Sequence, residues 1–212
     1  MKEKNIERRY MPVTELRAIE GENGLRKITG YAAVFNKLSD DLGYFREKIQ
    51  PGAFKNTIKA DDIRALWNHD SNYILGRNRS GTLSLSEDDH GLKIEIDPPD
   101  AQWARDLMTS IERGDVDQMS FGFRTITDSW QLVDGEDIRT LIEVKLFDVS
   151  PVTFPAYPDT EVGLRSLEEH KKAAGPSTDE GRTEDPSITL GLLQEEDQLL
   201  KQITGLQEEE HE

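Results

Sequence analysis

Thr82-Leu83-Ser84-Leu85-Ser86, Glu87-Asp88-Asp89-His90-Gly91 and Leu92-Lys93-Ile94-Glu95-Ile96 read in succession as strand, turn and strand. In Leu92–Ile96 apolar and polar residues alternate strictly. That is the period of a half-buried strand, with Lys93 and Glu95 turned to water. The polar stretch between the two runs closes on glycine, so the runs fold back on each other as a hairpin. His90 falls in that turn and reads as a solvent-exposed structural residue.

The same punctuation recurs in both directions. Upstream, Arg26–Phe35 is rich in strand formers, with Gly30 as a bulge or point of close approach. Tyr44–Ile49 alternates again, and Ile63–Trp67 and Ile74–Arg77 are short apolar runs. Downstream, Phe121–Trp130 and Thr140–Val149 flank the turn Asp134-Gly135-Glu136-Asp137, and Ser150–Pro158 is an extended segment stiffened by prolines. Two helices interrupt the strands. One starts at Pro51, with proline in its first turn, and runs to about Lys59. The other spans Ala101–Arg113, where Trp103, Ala104, Leu107, Met108 and Ile111 recur at three- and four-residue spacing. Asp100 is placed to cap its start and Gly114 its end. Seven or eight strands, one or two helices and no βαβ repeat predict a mainly β protein with a few helices, as an antiparallel barrel or sandwich.

Only 35% of the 212 residues are hydrophobic, and the deficit lies beyond about Leu167. The expected organisation is therefore a β domain over 1–166 and an acidic, largely disordered, flexible C-terminal tail over 167–212. Within the tail Leu192, Leu199, Ile203 and Leu206 recur at heptad-like spacing, enough for a short amphipathic helix at 188–207. The net charge is −16, of which Lys171–Glu212 contributes −7. No basic block is present, so neither nucleic acid nor an anionic membrane is an expected partner. The absence of cysteine removes disulfides, thiolate catalysis and cysteine-ligated zinc. The first ten residues lack the apolar core of a signal peptide. No stretch approaches the roughly 20 apolar residues of a membrane helix.

Chemistry is suggested by two places. Asp117-Gln118-Met119-Ser120-Phe121-Gly122-Phe123 sets a serine in an alternating strand, and Leu66-Trp67-Asn68-His69-Asp70 sets a histidine at the end of an apolar run. A serine hydroxyl near neutral pH needs a base, and an imidazole held by a third polar group is the usual one. Taken singly, a strand serine beside phenylalanine is most often a buried hydrogen-bonded residue, and such a histidine most often structural. The chain has no G-x-S-x-G, S-x-x-K, H-E-x-x-H or Walker-type motif. Its histidines and acids lack metal-ligand spacing, and no cofactor is implied.

The order of these segments is more specific than either alone. Trp67-Asn68-His69-Asp70, Leu75-Gly76-Arg77, Gly81-Thr82-Leu83, Glu87–Leu92, Met119-Ser120-Phe121-Gly122-Phe123 and Val149–Tyr157 together resemble the prohead (capsid maturation) proteases of tailed bacteriophages, the HK97-like family. The resemblance covers about Leu25–Arg165. It implies a serine endopeptidase with an antiparallel β-barrel like that of the herpesvirus assemblin protease, and a catalytic order of histidine, serine and a third residue. Carried over, His69 is the general base and Ser120 the nucleophile. The third member comes from Glu143–Asp148; the family's acid before Val-Ser falls on Asp148, with Glu143 as the alternative. An odd separation sets those two on opposite faces of a regular strand. Asp70 should point away from His69. Oxyanion donors are sought in the backbone of Val152–Phe154 or in Arg124. The resemblance further implies cleavage of the scaffold, or the scaffolding arm of the major capsid protein, and of the protease itself. The place is the assembling prohead in the host cytoplasm, with self-association and tail docking as further expectations. The competing expectation is a catalytically silent assembly or scaffold protein that uses the same barrel and tail for docking.

Overall fold

The computed structural model describes residues 6–11, 15–20, 26–42, 44–154 and 166–172. Ten strands lie among them: β1 (Glu7–Met11), β2 (Arg17–Glu20), β3 (Arg26–Val34), β4 (Phe45–Ile49), β5 (Arg64–Trp67), β6 (Asp70–Arg77), β7 (Leu83–Glu87), β8 (Gly91–Ile96), β9 (Gln118–Val133) and β10 (Glu136–Val152). The helices are α1 (Thr57–Ala60), α2 (Gln102–Arg113) and α3 (166–172).

The opening hairpin forms as read: Leu83 lies opposite Ile96 and Leu85 opposite Ile94. A second hairpin joins the two longest strands. Asp134 and Gly135 both take left-handed backbone (φ 52° and 82°), the two-residue turn whose twist suits strands. Gly30 lies against the backbone of Glu15 and Leu16, where a Cβ would approach to 3.1 Å. The bulge in that strand falls just beyond it, between Tyr31 and Ala33.

The expectation of a mainly β protein with a few helices is met, and that of an antiparallel barrel only in part. Among the described residues the strands form two open sheets. One has the order β1-β9-β10-β5-β6 with β4 also on β10, and the other the order β2-β3-β8-β7. The first is mixed, because β4 and β5 both pair with β10 in parallel. Core residues of the two sheets share one cluster: Ile28, Leu92, Ile94 and Ile96 meet Phe121, Phe123, Leu146 and Val149, with Leu107, Met108 and Ile111 of α2 alongside. At roughly 25 cal/mol per Å² of apolar surface, these side chains supply the main stabilisation of the fold.

Three local expectations shift. The first helix is a single turn, Thr57–Ala60, preceded by turns from Pro51. The N-cap of α2 is Ala101 rather than Asp100, which instead pairs with Arg105. Gly114 does close α2, in left-handed conformation. The fold also runs past 166: Leu167 of α3 is buried with Leu42 and Phe45, and His170 stacks on Trp130 at 5.5 Å. The compact unit thus includes α3. Positions 188–207 lie outside the described residues.

One buried group of charges underlies β1. Arg139, 2% exposed, donates to Glu7 Oε2 (2.7 Å), Glu47 Oε2 (3.1 Å) and Asp128 Oδ2 (2.7 Å). Arg9 donates to Glu47 Oε1 at 3.0 Å and Glu7 Oε2 at 2.8 Å. Burial opposes the charge on Glu7. Arg9 and Arg139, with a hydrogen bond from Thr125, overcome that and hold its pKa below the ordinary 4.5. The network ties β1 to β4, β9 and β10, and β1 flanks the strand that carries Ser120.

Candidate active site

Ser120 sits in the middle of three paired strands, opposite Tyr10 of β1 and Ser150 of β10. Its neighbours Met119, Phe121 and Phe123 are fully buried in the core, which fixes the register of β9. Because side chains alternate, that anchoring turns Ser120, Gly122 and Arg124 to the other face of the sheet.

His69 reaches this face from the β5–β6 hairpin. Trp67 pairs with Asp70, so Asn68 and His69 form a two-residue turn, both left-handed (φ 54° and 57°). This is the turn type that asparagine favours. For residues with a Cβ such backbone costs on the order of 1 kcal/mol each. Asn68 offsets that cost with a three-point tie to the end of β10. Its N–H donates to Pro151 O (3.0 Å), its Oδ1 accepts from Thr153 N–H (2.9 Å), and its Nδ2 donates to Thr153 Oγ1 (3.3 Å). Asp70 points away as expected, with Oδ1 accepting from the backbone and side chain of Asn72.

Asp148 arrives on β10 through a bulge. Leu146 pairs with Phe123 and Asp148 with Gly122, leaving Phe147 as the extra residue. Leu146 and Val149 therefore both face the core, and Asp148 faces outward with Ser120. In an unbulged strand, Asp148 would share the core face of Leu146. The parity argument for choosing between Glu143 and Asp148 thus does not apply, since the ladder slips on both sides of Glu143 as well. Position separates the two acids instead. Glu143 pairs with Thr127 and accepts a hydrogen bond from Asn56 Nδ2 at 2.8 Å, whereas Asp148 lies at the histidine.

The three side chains meet in a line. His69 Nδ1 is 2.5 Å from Asp148 Oδ1, and His69 Nε2 is 2.7 Å from Ser120 Oγ. A carboxylate only accepts, so Nδ1 carries the proton and Nε2 is left to accept from the Ser120 hydroxyl. Ser120 is fully buried and the His69 side chain is 6% exposed, which shields both hydrogen bonds from water. A peptide carbonyl can reach Oγ only by displacing what covers it. The same carboxylate oxygen also accepts from Ser150 Oγ at 2.8 Å. Its other oxygen lies over Gly122, where a Cβ would force the carboxylate to shift.

Of the expected oxyanion donors, Thr153 N–H is already given to Asn68. Arg124 is exposed on the same face as Ser120, opposite Lys145. Two features were not singled out from the sequence: the Asn68 tie and the Ser150 contact. The Asn-His pair between two alternating runs carried a signal for the first, as a two-residue turn. Among the described residues no cluster of His, Cys, Asp and Glu is arranged to hold a metal, and no helix is long and apolar enough to cross a membrane.

The Prohead protease of Enterobacteria phage HK97 is 31% identical over 152 residues, covering 70% of this chain and 62% of that protein. The chain thus matches somewhat less than two thirds of its relative's length. The solved structure of the bacteriophage T4 capsid assembly protease, gp21, aligns with a TM-score of 0.44 at 11% identity, covering 70% of this chain and 98% of that one. The family model described as Caudovirus prohead serine protease matches residues 13–173, which include His69, Ser120 and Asp148, and the chain belongs to that family.

Proposed function

We propose that the chain is a serine endopeptidase of prohead maturation, with Ser120 as nucleophile, His69 as general base and Asp148 as the third member. The observation that carries this is His69 bridging Ser120 Oγ and Asp148 Oδ1 at 2.7 and 2.5 Å. In the acylation step Nε2 takes the hydroxyl proton as Oγ bonds to the scissile carbonyl carbon. The carbonyl π electrons move to oxygen, and Asp148 stabilises the imidazolium that forms. Collapse of the tetrahedral adduct breaks the C–N bond, and His69 returns the proton to the leaving amine. Water then repeats the sequence on the acyl-enzyme, releasing the acid and restoring Ser120.

The substrate in this reading is the scaffold, or the scaffolding arm of the major capsid protein, together with the protease itself, inside the assembling prohead of the host cytoplasm. Membership in the prohead protease family supports that choice. Residues 1–166 together with α3 carry catalysis, self-association and kinship with the herpesvirus assemblin fold belong to the same reading, and the acidic stretch beyond α3 serves docking or is removed by self-cleavage. Neither nucleic acid, membrane, metal nor cofactor takes part.

The test is co-expression with the cognate major capsid protein, followed by intact mass of the fragments. Wild type should yield discrete truncation products and Ser120→Ala none. Processing that survives Ser120→Ala would remove the nucleophile from this reading. A wild type that assembles with the capsid protein yet never cuts it would point to the silent scaffold role.

A further inference from the structure

We propose that Ser150 is a positioning residue for the proton relay, acting through Asp148. The proposal rests on the protease reading above and on contacts that are independent of substrate. Ser150 is fully buried and lies directly opposite Ser120 in the β9–β10 ladder, so both hydroxyls project to one face. Its Oγ donates to Asp148 Oδ1 at 2.8 Å, the oxygen that also accepts His69 Nδ1–H at 2.5 Å.

The terminal torsion of an aspartate is broad, so backbone placement alone does not fix the angle at which the carboxylate plane meets the histidine. Here two neighbours on the sheet fix it. Ser150 holds Oδ1 from the side of β10, and Gly122 leaves a notch on β9 into which Oδ2 fits. A hydrogen bond to a buried carboxylate is also stronger than one between neutral groups, and it partly replaces the water that burial has removed. Ser150 thereby fixes the direction of the acceptor on which the Nε2 lone pair depends for its aim at Ser120. The groups facing Asp148 on this side are His69, Ser150 and, on the parallel partner β5, Arg64, which pairs with Asp62 at 3.3 Å. Ser150 is thus the hydroxyl bonded to this carboxylate, two residues along the same strand.

The experiment compares wild type with Ser150→Ala and Ser150→Cys, the latter of similar volume with a weak donor. Hydrolysis of para-nitrophenyl acetate is measured per site titrated with a fluorophosphonate, and the downfield proton resonance of His69 Nδ1–H is recorded by NMR. For Ser150→Ala, kcat should fall about tenfold to a hundredfold with KM within about twofold, and the resonance should move upfield. Ser150→Cys should fall between the two. Unchanged kcat and an unmoved resonance in Ser150→Ala would overturn the proposal. So would a lowered melting temperature with both readouts unchanged, since that makes Ser150 merely structural. The resonance depends only on the His69–Asp148 bond. If the wild type proves inactive toward the ester, the protease reading suffers while the NMR comparison still decides the role of Ser150.

Discussion

Asp148 Oδ2 occupies the space that a side chain on Gly122 would need, and the atoms nearest to a Cβ there belong to that carboxylate. The glycine is thus required by a neighbour's side chain rather than by its own backbone. Gly122→Ala should leave folding intact, because alanine suits a strand interior at least as well as glycine. It should push Asp148 off the histidine, and a displacement near 1 Å at a relay costs about a hundredfold in turnover. Ester hydrolysis and circular dichroism on the purified variant check both halves. An active Gly122→Ala would show that the carboxylate has room to spare.

The two acids considered for the third position separate cleanly by substitution. Asp148→Asn should lower kcat by roughly 10⁴-fold, because an amide oxygen no longer stabilises the imidazolium and its NH₂ favours the wrong tautomer. Glu143→Gln should stay within about twofold of wild type, since among the described residues Glu143 accepts from Asn56 and pairs with Thr127, away from the histidine. Capsid-protein processing in co-expression and fluorophosphonate labelling rates provide two independent measures. Loss of activity in Glu143→Gln with activity kept in Asp148→Asn would reverse the assignment.

How much of this was legible beforehand follows from the range of each signal. The β7–β8 hairpin, the Asp134-Gly135 turn and the Gly114 end of α2 were readable because short-range alternation and left-handed backbone leave residue-level marks. The parallel pairings of β4 and β5 with β10 were not, since partners such as Arg64 and Asp148 are set by tertiary packing. Composition hid two further features. The charged N-terminus contains Glu7 and Arg9, which are buried because they neutralise each other and Arg139. The polar C-terminal stretch begins with Leu167, which is core. At the site, His69 and Ser120 stood out as residue types in context, whereas the direction of Asp148 depends on Phe147 being extra. That slip leaves a faint trace, since the core residues Leu146 and Val149 are three apart where two is the rule.

Asn68 should matter more than its exposure suggests. Asn68→Gly keeps a residue at ease in the left-handed turn but removes both side-chain bonds to Thr153. Turnover is expected to fall about tenfold as the His69 loop loosens, with a stability loss of about 1–2 kcal/mol for the two hydrogen bonds. Urea unfolding together with hydrogen exchange at His69 and Asp70 would read this. Exchange rates equal to wild type would show that the backbone bond from Asn68 to Pro151 holds the turn unaided.

The buried charges under β1 give the fold a pH dependence whose sign can be inverted. In the wild type Glu7 has a pKa below 4.5, so its contribution is fully present above that value and is lost as pH falls through the lowered one. In Arg139→Met, Glu7 and Glu47 share Arg9 alone among the described cations, and burial, already the largest single influence on Glu7, is no longer outweighed. Breaking such a network typically costs about 3–5 kcal/mol. At neutral pH the variant should therefore melt about 10 °C lower, given some 2–4 °C per kcal/mol in a domain of this size. Because protonation now relieves an uncompensated buried carboxylate, its stability should rise from pH 7 to pH 5. Over the same interval the wild type should stay flat or decline. Melting curves at the two pH values suffice, and parallel shifts in the two proteins would mean that Arg139 does not neutralise Glu7.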